Sequence, residues 1–318
     1  MSLPRVRASG LLFAADPHVA DTPPGQRLPG YREQVLDKLA AWLDLARGLD
    51  ALPVLLGDLF HWPRENSNAM LVALMRLFSP QRPFVLVGNH DKHLARLTSD
   101  VSLSVLAEAG ALRPLSEPGP AFVLETPTGE ALVGASPDGS PLPSRFEPAP
   151  GDPGTVVWLT HHNIRFPEFE ARAHGIHELP GIDLVVNGHI HRPQPDVRAG
   201  ATLWVNPGNI TRLTFTRRSK ERRPAVFFWA PGREALERRE LPFLPFEQVF
   251  PDQEFPPEEQ EAEGESRFIQ GLERLAWRRT GEGTGLRQFL QTNLNPELPE
   301  SALVWELYKE VVHGSEAE

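Results

Sequence analysis

The 318-residue chain contains no cysteine. That absence excludes disulfide scaffolds, zinc–thiolate sites, iron–sulfur clusters and cysteine nucleophiles. Lysine is almost missing too. It occurs only at Lys38, Lys92, Lys220 and Lys309, so 28 of the 32 basic residues are arginine, a bias we read as source composition rather than function. No apolar run approaches the roughly 18–20 residues that cross a bilayer. The first apolar stretch, Leu11–Ala15, is far too short for a signal-peptide core. The expectation is a cytoplasmic protein without a membrane partner.

The formal net charge is −10, which at face value disfavours a polyanionic partner. The distribution reverses that reading. Residues 251–318 hold 15 acidic and 6 basic side chains, leaving 27 acidic and 26 basic in the first 250. Asp252 to Glu265 carries seven acids and no base around Pro256-Pro257, the composition of a solvated linker. Beyond it, Arg267–Arg279 and Ser301–Val312 have helical apolar spacing. The opposite bias lies in Thr211–Pro224, where Arg212, Arg217, Arg218, Lys220, Arg222 and Arg223 face only Glu221. A basic turn between strand-like stretches suits a phosphate backbone, and equally a solvated hairpin tip.

At roughly 100–200 residues per domain the length predicts one large domain and an appendage. Short apolar strands are expected at Leu11–Ala15, Pro53–Leu56, Phe84–Val87, Val156–Leu159, Leu184–Val186 and Thr202–Val205. Helices are expected at Tyr31–Leu49, Asn66–Phe78 and Val101–Ala109. Their alternation indicates an α/β layered domain. We place this domain at residues 1–235, a reduced cap and acidic linker at 236–265, and a helical segment at 266–318.

Chemistry gathers just after the strands, where α/β sheets place their ligands. The order is Asp16-Pro-His18, Gly57-Asp58, Gly88-Asn89-His90-Asp91, His161-His162 and Gly188-His189-Ile-His191. Carboxylate and amide oxygens mixed with imidazoles, without thiolate, suit divalent manganese, iron or zinc. One carboxylate, Asp58, has the chemistry to bridge two cations. Such a pair, about 3.5–4 Å apart, clamps a phosphoryl group and activates water. Each element alone is most often a polar turn; five in order are not. Metal-assisted phosphoester hydrolysis is the reaction class implied.

The ordered set resembles the calcineurin-like metallophosphoesterases from Asp16 to about His191. The resemblance implies an α/β fold of two mixed β-sheets sandwiched between helices, the four-layer metallophosphoesterase arrangement, here with a short C-terminal cap and helical appendage. It implies Asp16, His18, Asp58 and His191 as ligands of one metal, and Asp58, Asn89, His161 and His189 as ligands of the other. His161 is preferred to His162 because it directly follows its strand. His90 is similar to the family histidine that protonates the leaving oxygen, and Asp91 would accept that imidazole's other proton. Gly-Asp58-Leu-Phe-His61 resembles the SbcD-type DNA repair nucleases, in which a histidine at this spacing helps position the phosphate. Asn-Pro-Gly-Asn-Ile-Thr-Arg212 adds to that likeness.

The resemblance therefore implies a two-metal phosphodiesterase, an exonuclease or endonuclease acting on DNA ends in repair or recombination. Two divalent ions are implied, with Mn²⁺ expected. The basic residues from Arg212 to Arg223 are candidate DNA contacts. The C-terminal helices are candidates for gripping an SbcC-type ATPase, with a homodimer left open. The rival readings are a small-molecule phosphodiesterase or phosphatase on the same fold, and a non-catalytic scaffold binding DNA or an ATPase.

Overall fold

A computed structural model describes residues 3–169, 174–255 and 304–305. Met1–Phe255 forms one compact unit, and all that follows concerns it. The proposed linker beyond residue 255 and both C-terminal helices lie outside the described residues, apart from Val304 and Trp305, which are helical. No helix among the described residues is long and apolar enough to cross a membrane.

In chain order the elements are β1 (Arg5–Arg7), β2 (Leu11–Ala14), α1 (Tyr31–Gly48), β3 (Leu52–Leu55), α2 (Asn68–Phe78), β4 (Phe84–Leu86), α3 (Ser102–Glu108), β5 (Arg113–Leu115), β6 (Gly119–Thr126), β7 (Gly129–Ser136), β8 (Thr155–Thr160), β9 (Leu184–Asn187), β10 (Val197–Ala199), β11 (Thr202–Val205), α4 (Arg217–Glu221), β12 (Ala225–Trp229) and β13 (Glu237–Glu240). They build two mixed sheets, β1-β6-β7-β8-β9-β11-β10 and β13-β12-β2-β3-β4-β5.

The period-2 alternation of a strand decides which layer each side chain enters. Leu11, Phe13, Leu52, Val54, Phe84 and Leu86 face Phe122, Leu124, Val133, Val157, Leu159, Leu184 and Val186 of the other sheet. Leu12, Ala14, Leu55 and Val85 face the opposite way, onto α1 and α2. Strands buried on both faces read as continuous apolar runs, which is why β2, β3, β4, β8 and β9 are found where the sequence predicts them. In α1 the buried residues Val35, Leu39, Trp42, Leu43 and Ala46 fall on one helical face. The Trp42 indole donates to the Leu12 carbonyl at 3.1 Å. The start of α2 is capped by the Ser67 hydroxyl, which accepts from the Met70 N–H at 3.2 Å. Over the outer face of the seven-stranded sheet, Trp158, Val185 and Trp204 pack against the loop residues Ile164, Phe166, Leu179 and Ile182.

Two expectations are corrected. The boundary at residue 235 falls too early, because β13 pairs antiparallel with β12 as an edge of the six-stranded sheet. The basic turn is not a bare hairpin tip: it contains the short helix α4, capped by the Thr216 hydroxyl, which accepts from the Ser219 N–H.

Candidate metal centre

β2, β3 and β4 are parallel neighbours, as are β8, β9 and β11. Their carboxyl ends therefore deliver Asp16 and His18, Asp58, Asn89 and His90, His161, and His189 and His191 to one edge of the sandwich. Loops 16–20 and 58–61 are laced together. His18 N–H donates to the Asp58 carbonyl at 3.0 Å, Val19 N–H to Leu59 at 2.8 Å, and His61 N–H to Val19 at 2.9 Å. Among the described residues six non-glycine positions have positive φ, and four of them are expected ligands: Asp16 (46°), His18 (51°), Asp58 (50°) and His189 (71°). Left-handed backbone is costly for a residue with a Cβ and concentrates at functional sites. Here it turns each side chain out of its strand direction and into the centre.

Ligand atoms of His18, Asp58 and His191 lie within 4.8 Å of one another, and so do those of Asp58, His161 and His189. Asp58 belongs to both groups, as a bridging carboxylate must. Its Oδ2 lies 3.7 Å from His18 Nε2 and 3.2 Å from His161 Nε2, while Oδ1 accepts from the His90 N–H at 2.8 Å. Asn89 Oδ1 joins the second group, 2.7 Å from His189 Nδ1 and 3.3 Å from His161 Nε2. Asp16 is fully buried; its Oδ1 accepts from the His189 N–H at 3.1 Å and its Oδ2 has no partner. His161 Nδ1 bonds to the Leu56 carbonyl at 2.7 Å, which leaves Nε2 as its inward-facing nitrogen. His162 turns away, with Nε2 on the Ser140 carbonyl at 2.7 Å.

These residues fit divalent cations. His18 Nε2 and His191 Nε2 face each other at 2.9 Å, and two lone-pair donors this close need a cation or a proton between them. Burial pushes both of these imidazoles down, His191 to about 3, so neither carries a second proton. Burial opposes the His161 cation, but Asp58 outweighs it and raises this imidazole to about 10. Burial likewise opposes the Asp58 carboxylate, but His161, His90 and His18 hold it well below the usual range. Burial pushes Asp16 up to about 8, against the pull of His161. Ligands that hold protons in this way release them when metal binds.

His90 and His61 stand beside the ligands. Their rings stack at 5.5 Å and 23°, and the His18 ring is 4.7 Å from His90 and 5.5 Å from His61. His61 Nδ1 is buried without a partner; burial, then His90, push this imidazole down to about 3, so it is neutral. Trp62 packs on its edge at 4.5 Å.

The expected role of Asp91 is corrected. His90 Nδ1 bonds to the His61 carbonyl at 2.8 Å, not to Asp91. The Asp91 carboxylate is fully buried and accepts from the Gly88 N–H at 2.9 Å and the Phe60 N–H at 3.3 Å. It joins the two loops that carry Asp58 and His90. Gly88 has its own steric demand, since a Cβ there would strike both the Asp58 backbone nitrogen and its carboxylate. Gly88→Ala is expected to weaken Mn²⁺ binding by about tenfold or more while the far-ultraviolet circular dichroism is retained. Calorimetric titration of the metal-free variant checks this.

The basic segment is corrected as well. Arg212 is buried, donating to the Arg222 carbonyl at 2.6 Å and the Leu244 carbonyl at 3.1 Å. Arg222 donates to the carbonyls of His191, Asn209 and Thr211. Neither is free to meet phosphate. Lys220 pairs with Glu247 and Arg223 with Glu240, while Arg217 and Arg218 are exposed. Charge in the sequence did not reveal these internal roles.

Sequence reasoning missed one brace. The Asn187 amide oxygen accepts from the Thr160 hydroxyl at 2.7 Å and the His162 N–H at 3.0 Å. Its nitrogen donates to the His162 carbonyl at 3.1 Å and to Asn206 Oδ1 at 3.0 Å. This locks the loops after β8 and β9 that carry His161 and His189. The only signal was its position at the end of a strand, directly before Gly188-His189.

A family model described as calcineurin-like phosphoesterase matches residues 11–193. No curated protein gives a significant match. Among solved structures, a 5'-nucleotidase precursor from Thermus thermophilus aligns at 16% identity and TM-score 0.42, covering 84% of this chain and 57% of that one. The NAD nucleotidase of Haemophilus influenzae aligns at 13% and 0.43, over 95% of this chain and 59% of that one. A predicted phosphoesterase of Streptococcus pneumoniae aligns at 13% and 0.30, over 73% and 98%. This chain thus spans less than two thirds of the two nucleotidases. The family match covers more than half of the chain and every expected ligand from Asp16 to His191, and the protein is a member of the calcineurin-like phosphoesterase family.

Proposed function

We propose that the chain is a metal-dependent phosphodiesterase that acts on DNA ends, with Mn²⁺ as its working ion. The observation that carries the reading is His61, at the end of Gly-Asp-Leu-Phe-His, grouped with His18 and His90 within 4.8 Å by one ring nitrogen each. Two divalent cations held by Asp16, His18, Asp58, Asn89, His161, His189 and His191 would supply Lewis acidity at a phosphoryl oxygen and lower the pKa of the attacking water. His61, neutral and with an unpartnered buried nitrogen, has a donor to offer a non-bridging phosphate oxygen. His90, oriented by the His61 carbonyl through Nδ1, keeps Nε2 for proton transfer to the leaving oxygen.

A second reading, a small-molecule phosphodiesterase or phosphatase, is favoured by Arg212 and Arg222, whose guanidinium groups hold backbone rather than face a polyanion. The test is incubation of the purified chain with Mn²⁺ and linear duplex or single-stranded DNA, with His90→Ala as control. DNA shortening that the control lacks is expected. Cleavage of bis-p-nitrophenyl phosphate with intact DNA would sink the nuclease reading and leave the metal centre standing.

A further inference from the structure

The backbone after β11 is irregular and buried, and its carbonyls have no sheet partner to satisfy them. Four in succession are instead held by basic side chains. Arg222 donates to the Asn209 carbonyl at 2.6 Å and the Thr211 carbonyl at 2.8 Å, Lys38 to Ile210 at 3.1 Å, and Arg27 to Arg212 at 2.8 Å. Arg27, Lys38 and Arg212 are buried and Arg222 is partly so. The side-chain hydrogen bonds of Lys38, Arg212 and Arg222 run to backbone carbonyls. Buried charge is costly unless fully hydrogen-bonded, and charge-assisted bonds to carbonyls are strong and directional. This segment is therefore tied down at four successive carbonyls.

What it touches gives the grip a purpose. Asn209 N–H donates to the His191 carbonyl at 3.0 Å, and Ile210 N–H to the Ala15 carbonyl at 2.9 Å. Arg222 also reaches the His191 carbonyl directly, at 3.2 Å. The segment is a strut between the loop that begins at Asp16 and the loop that ends at His191. His161 has braces of its own, the Leu56 carbonyl on its Nδ1 and Asn187 on the backbone of the following residue, His162.

We propose that Arg222 is a positioning residue for one of the two ions: through the carbonyls of His191, Asn209 and Thr211 it fixes His191 against His18 and Asp58, and so sets the affinity of that ion alone. The inference rests on the two-ion reading of the centre and is independent of the nuclease assignment. A guanidinium suits the task because its rigid fork reaches several carbonyls at once, which an ammonium on a flexible stem does less well.

The test is calorimetric titration of the full chain, stripped of metal, with Mn²⁺. Wild-type protein is expected to take up two ions. Arg222→Gln should bind one ion as the wild type does and the other about 10–100-fold more weakly, the usual cost of removing a group that orients a ligand. Arg222→Lys should recover part of the loss. Arg222→Gln with both affinities unchanged, or with both lowered equally, would overturn the inference. Should Arg222→Gln not fold, Arg222→Lys is judged in the same way: a selective loss at one ion supports the proposal, and two unchanged or equally lowered affinities overturn it. Wild-type protein that takes up fewer than two ions overturns the two-ion reading itself, and the inference with it.

Discussion

Asp58→Asn is expected to lower the turnover of any phosphodiester substrate by about a thousandfold or more, equivalent to about 4 kcal/mol of transition-state stabilisation, and to reduce Mn²⁺ uptake from two ions to one or none. The substitution keeps the volume of the side chain and changes little else. Oδ1 can continue to accept from the His90 N–H, so the new amide nitrogen is forced into the place of Oδ2. That is the atom 3.2 Å from His161 Nε2 and 3.7 Å from His18 Nε2, shared by both ligand groups. An amide nitrogen has no lone pair for a cation, so the bridge is lost while the loop remains. His161 also loses the carboxylate that holds its proton, and as a neutral ring it can accept from the new amide. The fold should therefore survive. Calorimetric titration with Mn²⁺, beside turnover of bis-p-nitrophenyl phosphate, checks both halves. Two bound ions, or turnover above about a tenth of wild type, would show that Asp58 does not bridge.

The cluster of candidate ligands was legible in the sequence because these residues follow apolar strands directly. Leu11–Ala14, Leu52–Leu55 and Leu184–Asn187 are buried on both faces, so their hydrophobicity marks them and the polar residue at each end stands out. The edges lacked such a mark. β1 and β13 read Arg-Val-Arg and Glu-Arg-Arg-Glu, and they are held by backbone pairing and by ion pairs such as Arg7–Glu125 at 2.8 Å and Arg223–Glu240 at 3.6 Å. A charged edge strand looks like a loop until its partner is known. Asp91 and Arg222 failed for a different reason. Adjacency to His90 in sequence does not fix where the Asp91 carboxylate points, and it points at backbone. A run of arginines likewise does not say whether each guanidinium meets water, a phosphate or a carbonyl.

His90→Ala is expected to leave both ions bound and to slow cleavage in a manner that depends on the leaving group. His90 Nδ1 is engaged by the His61 carbonyl, and the ring packs at right angles to His18, 86° at 4.7 Å, so Nε2 is its working atom. Loss of a general acid costs about 10²–10⁴-fold when the departing oxygen is a poor leaving group, as the alkoxide of a nucleotide is. A p-nitrophenolate departs without protonation, and its ester should slow by less than about tenfold. The ratio of the two losses separates this role from its rival. His18, His61 and His90 also bring one ring nitrogen each within 4.8 Å, a spacing that would suit a cation as well. A ligand role would cost an ion in calorimetric titration and slow both substrates alike. Equal slowing with one ion missing would move His90 from proton transfer to metal binding. Unequal slowing with two ions retained assigns it the proton.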